Sequence, residues 1–544
     1  MIPRDLRRLA DTTFDLLVVG SGIYGALAAW EAAARGLTVA LIDRADYGGG
    51  TSFNSLKTLH GGLRSLQSLN GRQMRLFIRE RRAMARMAPH LVQPLPFCVP
   101  TYRHPVRNAM AMRVALAISD AVAVDRHTGL ADPALHLPRG RVVSRDECLA
   151  LNPIIDGAGV TGGAVWFDYQ IRQSERLLVS AVRSAVAAGA VTANYVAARS
   201  LLRDGTRVTG VTVDDAEGGS RFDVRARAVL NAAGPWAGEL LTTLCGGAVA
   251  APAARLSRAM NLVVDRVTGT HACGGVVDGR FLFVVPWRDV SIVGTSHDPH
   301  DGGADLPHGT PAHVEQLLGA ARVAFPGARL TTASVRLVHR GLLPMVSAVT
   351  APVALLKESA VVNHAVSGHP GLLSIFSVRY TTAGDTAAAA VDAVMRQLDR
   401  APGPRVTGTA RMSGAPQASM GALLDEARRA DAPGTTTELR SRLAQAYGTA
   451  HGEVTALIAA TPDLATPMDA TCAVTRAELL HAVRVESART LSDALLRRTE
   501  AGSAGYPGDV AVGTAARVLA VELGWTATRI DAEITAVRAA YPAT

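Results

Sequence analysis

Hydrophobic positions along the chain fall in short bursts separated by glycine-rich turns, and the bursts alternate between strand and helix. Asp15-Leu16-Leu17-Val18-Val19 is an apolar run of strand length without polar alternation, which predicts a strand buried on both faces. Ala26 to Arg35 is rich in Ala and Leu, predicts a helix, and is closed by Gly36. Thr38 to Ile42 is a second apolar run that ends at Asp43, completing a strand-helix-strand unit. Ser174 to Ala188 predicts another helix, and Val191 to Leu201 and Arg207 to Val213 predict strands around an Asp204-Gly205 turn. A further strand runs into Asn231-Ala232-Ala233-Gly234-Pro235-Trp236, and Leu372 to Val378 predicts one that meets an Ala-rich helix over Asp385 to Leu398. Beyond the turn residues Ala401-Pro402-Gly403-Pro404 the pattern becomes helical. Glu438 to Tyr447 is amphipathic, and Thr475 with Glu478 forms a capping box before Leu479 to Arg498.

The turn of the first unit, Gly20-Ser21-Gly22-Ile23-Tyr24-Gly25, carries the chemistry. Gly20 permits a tight turn, Gly22 lets a pyrophosphate approach the positive end of the helix, and Gly25 lets helix and strand pack closely. Asp43, about twenty residues on, is placed to accept hydrogen bonds from an adenosine ribose. Arg44 alone leaves room for a 2′-phosphate. The small residues Ala233 and Gly234, with Trp236, let backbone pass close to a cofactor, and Val196 is a candidate for backbone contacts to an adenine. Thr381 and Thr382, at the start of the last helix, are candidates for a flavin carbonyl or ribityl chain, although N-capping alone would also explain them.

Composition narrows the class. At 544 residues with 48% hydrophobic and 19% charged side chains, the chain predicts a globular protein of two or three domains. No apolar run approaches a membrane span and Met1 to Thr13 is polar, so a cytoplasmic protein is expected. Cys98, Cys148, Cys245, Cys273 and Cys472 have neither metal-ligand spacing nor CxxC pairing, and no metal is expected. A net charge of +9 is spread along the chain, aromatics are only 4%, and nucleic-acid binding is not expected. Arg72, Arg75, Arg79, Arg82 and Arg86 recur at helical spacing and predict a cationic face. It is either solvated or suited to an anionic membrane surface or substrate. Lys57 and Lys357 are the only lysines.

These motifs, with Thr51-Ser52, Ser55, Lys57, His60-Gly61-Gly62-Leu63-Arg64, Met87-Ala88-Pro89-His90-Leu91, Phe283-Val284-Val285-Pro286-Trp287 and Ser291-Ile292-Val293-Gly294-Thr295, resemble the FAD-dependent glycerol-3-phosphate dehydrogenase family through nearly the whole chain. The resemblance implies an α/β fold. A Rossmann-like FAD-binding domain holds an inserted antiparallel-sheet substrate domain and is followed by a C-terminal helical domain. The FAD-binding segments are expected at 1–90, 166–240 and 351–402, the substrate segments at 91–165 and 241–350, and the helical domain at 403–544. It also implies that Thr51, Ser52, Ser55, Lys57, Gly61, Gly62 and Leu63 hold FAD.

Oxidation of an alcohol by hydride transfer to flavin needs a proton acceptor and cations that stabilise the developing alkoxide. His60, Arg64, His339, Arg340 and Arg379 are the catalytic candidates, and Ser65, Arg258, Asn261 and Lys357 the substrate-binding ones. The family pattern breaks at several of these places. Ser65 stands where a tyrosine is expected, Asn261 where a histidine is, and Leu343 where an arginine is, with Arg340 nearby as a substitute. Ser377-Val378-Arg379 replaces Gly-Gly-Lys, and Lys357 falls where a further arginine is expected. The expected reaction is oxidation of a secondary alcohol, of a polyol phosphate or a diverged hydroxylated metabolite. The alternatives are an amine or amino-acid oxidase on the same fold, and a flavin-binding scaffold without turnover. The expected partners are a small-molecule substrate and an electron acceptor (quinone, oxygen or a carrier). Peripheral contact with the inner membrane face and self-association are left open.

Overall fold

The computed structural model describes residues 1–63, 70–247, 255–277, 279–300, 302–305, 309–346 and 353–542. Among these, two sheets divide the molecule. The first has eight strands. Its main path runs Ala360–Asn363, Leu372–Phe376, Arg221–Asn231, Thr13–Val19, Val39–Ile42 and Val191–Ala193. The four inner strands pair in parallel, with Val18 opposite Leu41 on one side and Leu230 on the other. The apolar runs 16–19, Val39–Ile42 and 228–230 in these strands follow from burial on both faces. Helix Ile23–Ala34 lies on one face, covered in turn by helices Ser174–Ala187 and Ala383–Gln397. That double cover explains why a helix of mostly Ala and Leu is buried nearly all round. The expected strand over Val191 to Leu201 is two strands. The chain turns at Tyr195 (φ 58°), and Val196–Asp204 then pairs antiparallel with Arg207–Asp215.

The second sheet has nine strands and is mostly antiparallel. It runs Val335–Met345, Arg255–Asp265, Val290–His300, Arg280–Trp287, Ala272–Val277, Val92–Tyr102, Val160–Ile171 and Thr58–Leu59, with Arg141–Val143 beside Val160–Ile171. The expected divisions at 90 and 165 shift accordingly, since Thr58–Leu59 and the end of Val160–Ile171 belong to this sheet. Strand alternation separates its faces. Leu262, Val264, Val293 and Val338 pack under helix Pro311–Ala324, whereas Val263, Ile292, Leu337 and Trp287 pack against C-terminal helices. Val335–Met345 is an edge strand of this sheet, and the segment after the first strand-helix-strand unit covers it. Thr51 Oγ1 donates to Leu342 O (3.1 Å) and accepts from Leu342 N (3.3 Å), and Asn54 Oδ1 accepts from Arg340 N (3.2 Å).

The C-terminal domain is helical, and the Thr475/Glu478 capping box forms as expected. The expected helix to Arg498 stops at Arg484. There Glu486 turns inward to Arg176 and Arg183, Ser487 takes φ 60°, and the chain resumes as a π-helical turn, Asp493–Arg498. That turn docks on the first sheet. Asp46 accepts from Arg497 Nε (2.6 Å) and Arg498 Nη1 (2.9 Å), and Tyr195 donates to Asp493 (2.8 Å). Burial pushes the Asp46 carboxyl up, but the two guanidiniums outweigh it and hold it below the usual range.

Candidate functional site

The strand Thr13–Val19 lies between Val39–Ile42 and Arg221–Asn231, so the glycine turn, Asp43 and Ala233-Gly234 meet at one end of the sheet. Two glycines are required by packing. A methyl on Gly20 (φ 101°) would stand 2.7 Å from Ala232 O, and one on Gly25 would stand 1.8 Å from Gly20 O. Gly22 differs, because a methyl there would approach only Ser52 Oγ, at 3.2 Å. Gly22 is also the N-cap of helix Ile23–Ala34 and supplies no side chain to it, while Ile23 N donates to Ser52 Oγ (3.0 Å). Asp43 is half-buried, accepting from Ser21 N (2.6 Å), Ser21 Oγ (2.7 Å) and Ala45 N (3.0 Å). Each carboxylate oxygen can accept further bonds, so the ribose role stays open to it. Gly234 (φ 59°) faces open space across the groove. A helix N-terminus without a side-chain cap, a cradle a side chain would fill and an acid at the next strand end fit the ADP half of FAD.

Two expected cofactor contacts have competing partners within the protein. Val196 is fully buried and its N–H donates to Asp43 O (2.7 Å), so that N–H already has a partner within the protein. The Lys57 side chain is equally enclosed. Its ammonium donates to Phe53 O (2.7 Å), Ser174 Oγ (2.8 Å) and Glu175 Oε2 (3.2 Å). Burial lowers its pKa and Glu175 raises it again in part. Lys57 therefore braces the segment that carries Thr51, Ser52 and Ser55 from behind.

The glycines after His60 are also explained by packing. Gly61 N donates to Asp168 Oδ1 (2.6 Å), and a methyl on Gly61 would strike Arg81, which is ion-paired to Asp168. A methyl on Gly62 (φ 75°) would strike Phe77. Leu63 follows in a half-buried position, while Arg64 and Ser65 lie outside the described residues. The turn Tyr380–Thr382 packs on both Thr58–Leu59 and helix Gly71–Met87, bringing buried Thr381 and Thr382 beside the His60 segment. One amide of the helix that follows is already taken, since Asp385 N donates to Glu80 Oε2 (2.8 Å). Glu80, Arg81, Phe77 and Asp168 were not among the sequence candidates. Glu80 had a signal, being the one acid in a helix of arginines.

On that helix three of the five regularly spaced arginines are ion-paired. Arg75 and Arg82 both bind Asp125, and Arg79 binds Glu80 and Asp385.

Of the catalytic candidates, His60 and Arg379 converge on Phe77. The His60 ring lies 4.5 Å from the Phe77 ring and opens to solvent on another side, and Arg379 Cζ lies 5.2 Å from the same ring. The enclosing protein lowers the His60 pKa. Asp168 opposes this, and Arg379 and Arg81 add to it. Burial also lowers the pKa of Arg379. Lys357 is exposed and receives Arg379 at its carbonyl.

A second group lies on the second sheet. Asn261 and His339 are in register, and Asn261 Oδ1 accepts from Thr295 Oγ1 (2.7 Å). His339 Nδ1 lies 3.2 Å from Ser55 O, an acceptor only, so Nδ1 carries the proton. Burial, and then Lys57, push the pKa of His339 down to about 3, which makes it a poor proton acceptor near neutrality. Alternation puts Gly341 and half-buried Leu343 on the His339 face and Arg340 on the other. Arg340 is in register with Met260, two residues from Arg258 on the same strand, and Arg340 and Met260 both approach Gly309. The structure therefore does not bring Arg258 or Arg340 to the face of Asn261 and His339, and Arg340 does not replace the cation absent at Leu343.

Comparisons with known proteins bear on the family, the fold and the cofactor. Residues 15–383 match the family described as FAD dependent oxidoreductase, and residues 405–530 match the C-terminal domain of alpha-glycerophosphate oxidase. The chain is 29% identical to a glycerol-3-phosphate dehydrogenase of Synechocystis, over 98% of this chain and 97% of that one. It is 33% identical to glycerol-3-phosphate dehydrogenase 2 of Mycobacterium tuberculosis, over 97% and 88%. The crystal structure of a Bacillus halodurans glycerol-3-phosphate dehydrogenase complexed with FAD superposes with a TM-score of 0.77 at 25% identity, covering 98% of this chain and 95% of that one. Glycine oxidase from Geobacillus kaustophilus, at 18% identity and TM-score 0.51 over 73% of this chain, shares the fold. The chain belongs to the FAD-dependent oxidoreductase family, is of its glycerol-3-phosphate dehydrogenase-like kind, and acts on CH–OH donors with FAD as cofactor.

Proposed function

We propose that the chain oxidises the secondary alcohol of a small polyol, with His60 taking the hydroxyl proton and Arg379 stabilising the oxygen as it becomes an alkoxide. The observation that carries this reading is the convergence of His60 and Arg379 on Phe77, beside the Tyr380–Thr382 turn. A lowered pKa keeps the His60 imidazole neutral, and so able to accept a proton, at neutral pH. Bound FAD supplies the two-electron acceptor that takes hydride from the carbinol carbon. Gly20, Gly22, Gly25, Asp43, Ser52, Ala233 and Gly234 would hold its ADP half, and Thr51, Ser55, Gly61, Gly62, Leu63, Thr381 and Thr382 would surround its reactive half. Asn261 and Leu343 shape the far wall.

Glycerol 3-phosphate, the substrate in the relatives' names, is the reference donor of this class. The test is anaerobic bleaching of the FAD-loaded protein by glycerol 3-phosphate, unphosphorylated polyols, amines and amino acids. A polyol should bleach it, and His60→Gln should slow bleaching about 10²- to 10⁴-fold with flavin content retained. Bleaching by amines alone would mark an amine oxidase. Bleaching by dithionite alone would mark a scaffold without turnover. Either result overturns the proposal.

We also propose that the chain rests on an anionic membrane through helix Ala109–Val122, rather than through the Arg72 to Arg86 face, for which a solvated role stood beside the anion-binding one. Among the described residues no helix is long and apolar enough to cross a membrane. The outward face of this one is apolar. Met110, Val114 and Ile118 are 63%, 52% and 45% exposed, Ala117 and Ala121 lie between them, and Arg103, Arg107, Arg113 and Arg139 border the face. Vesicles of phosphatidylglycerol should sediment the protein and Ile118→Asp should release it. A concentration-dependent dimer that does not bind vesicles would assign the face to a second copy instead.

A further inference from the structure

Three side chains from distant parts of the sequence meet over the dinucleotide groove. Arg44 follows Asp43 at the end of Val39–Ile42, and Trp236 follows Gly234 at the end of Arg221–Asn231. These two strands flank Thr13–Val19, whose end is the glycine turn, so a contact between Arg44 and Trp236 spans that turn. The contact exists, with the Arg44 guanidinium carbon 4.8 Å from the centre of the Trp236 ring. Asp305, from the loop after strand Val290–His300 of the other sheet, ties both ends. It accepts from Trp236 Nε1 at 2.7 Å and from both terminal nitrogens of Arg44, one at 3.1 Å.

Two further features hold the arrangement. Gly50 leaves room for the indole, since a methyl there would stand 2.9 Å from Trp236 Cζ3. Glu239, on the helix that begins after Trp236, accepts from Ala304 N (2.7 Å) and so anchors the loop one residue before Asp305.

We propose that Arg44, Trp236 and Asp305 form a latch across the dinucleotide groove that slows the exchange of FAD. The ligand lies against protein on the sheet side, and the latch closes the opposite side with a strap supplied by the substrate-binding half. The Arg44 and Asp305 side chains are 49% and 64% exposed, so the pair is screened by salt. An exposed ion pair contributes up to about 1 kcal/mol, which corresponds to roughly fivefold in a rate. The latch is therefore a brake of modest strength, and its action depends on ionic strength. It does not hold FAD by itself. It rests on the reading that the ADP half of FAD lies along the Gly20–Gly25 turn.

The experiment is the release of FAD from the purified holoprotein, followed as the rise in flavin fluorescence on dilution at low and at high salt. Asp305→Asn should release FAD roughly two- to fivefold faster at low salt and should lose most of the dependence on salt. Glu239→Leu, which removes the acceptor that anchors Ala304 N, should shift release in the same direction. An unchanged release rate in both variants, or a salt dependence that survives in Asp305→Asn, overturns the latch. A misplaced ADP half would show differently, as Gly22→Val protein that keeps its flavin.

Discussion

The two sheets support the reaction in different ways. At the end of the first, function rests on backbone and on the absence of side chains. Gly20 and Gly25 admit no methyl group without a clash below 3 Å, and Gly22 keeps the approach to a helix N-terminus clear. On the second, the candidate substrate-side residues Asn261, His339 and Leu343 project from one face of a ladder whose hydrogen bonds do not depend on what projects. Asn261 and Leu343 interrupt the family pattern in strands that keep their pairing. Under the proposed function, cofactor binding is thus bound to the fold, while the substrate-side positions can change within an intact ladder.

Substitutions can break that comparison, beginning with the largest expected effect. Gly22→Val should yield folded protein with almost no flavin, measured as the ratio of flavin to protein absorbance, because the branched side chain occupies the path of the pyrophosphate. Retained flavin would show that the first sheet is as permissive as the second. Lys57→Met should lower stability by about 3–5 kcal/mol, because it leaves Glu175 buried without its cation. Thermal unfolding of the flavin-free protein is the appropriate measurement. If Lys57 instead touched flavin, flavin content would fall while that stability stayed the same.

Acid should act through the interior. Burial pushes both His339 and His90 down to about 3, against about 6.5 for an unfolded histidine. Below pH 6.5 the unfolded chain binds protons that the folded one refuses. Each histidine should then reduce stability by about 1.4 kcal/mol per pH unit as pH falls towards its folded value. Denaturant midpoints at pH 7 and pH 5 would show the fall, and His90→Leu should remove about half of this histidine-dependent slope. The smallest effect is expected at Arg340→Ala. Its guanidinium lies on the face away from His339, and KM for an anionic polyol should change by no more than about twofold. A large rise in KM would return Arg340 to the pocket.

The contrast between the sheets also explains what was legible in the sequence. The strand-helix-strand unit, the strands that run into Asn231 and start at Leu372, and the Thr475/Glu478 box were readable because each is a local signal. Spacing, glycine placement and capping chemistry suffice for them. What escaped depends on neighbours. Lys57 looks like any conspicuous cation until Ser174 and Glu175 are folded against it, and Val196 reads as an open strand end until Asp43 takes its N–H. Arg340 lies three residues from Leu343, close in sequence but on the opposite face, and only the packing of the strand reveals which face meets the cofactor side. The arginines of helix Gly71–Met87 have regular spacing, yet their partners Asp125 and Asp385 come from elsewhere in the chain.

The hydrogen bonds from Thr51 and Asn54 to Leu342 and Arg340 have one more consequence. They occupy the outer rim of an eleven-residue strand, Val335–Met345, that would otherwise offer bare amides and carbonyls to any extended chain nearby. Were this stretch to swing away, that rim would recruit another molecule by strand addition, and aggregation would follow. Two small polar side chains in the cofactor segment therefore also cover part of a sheet edge.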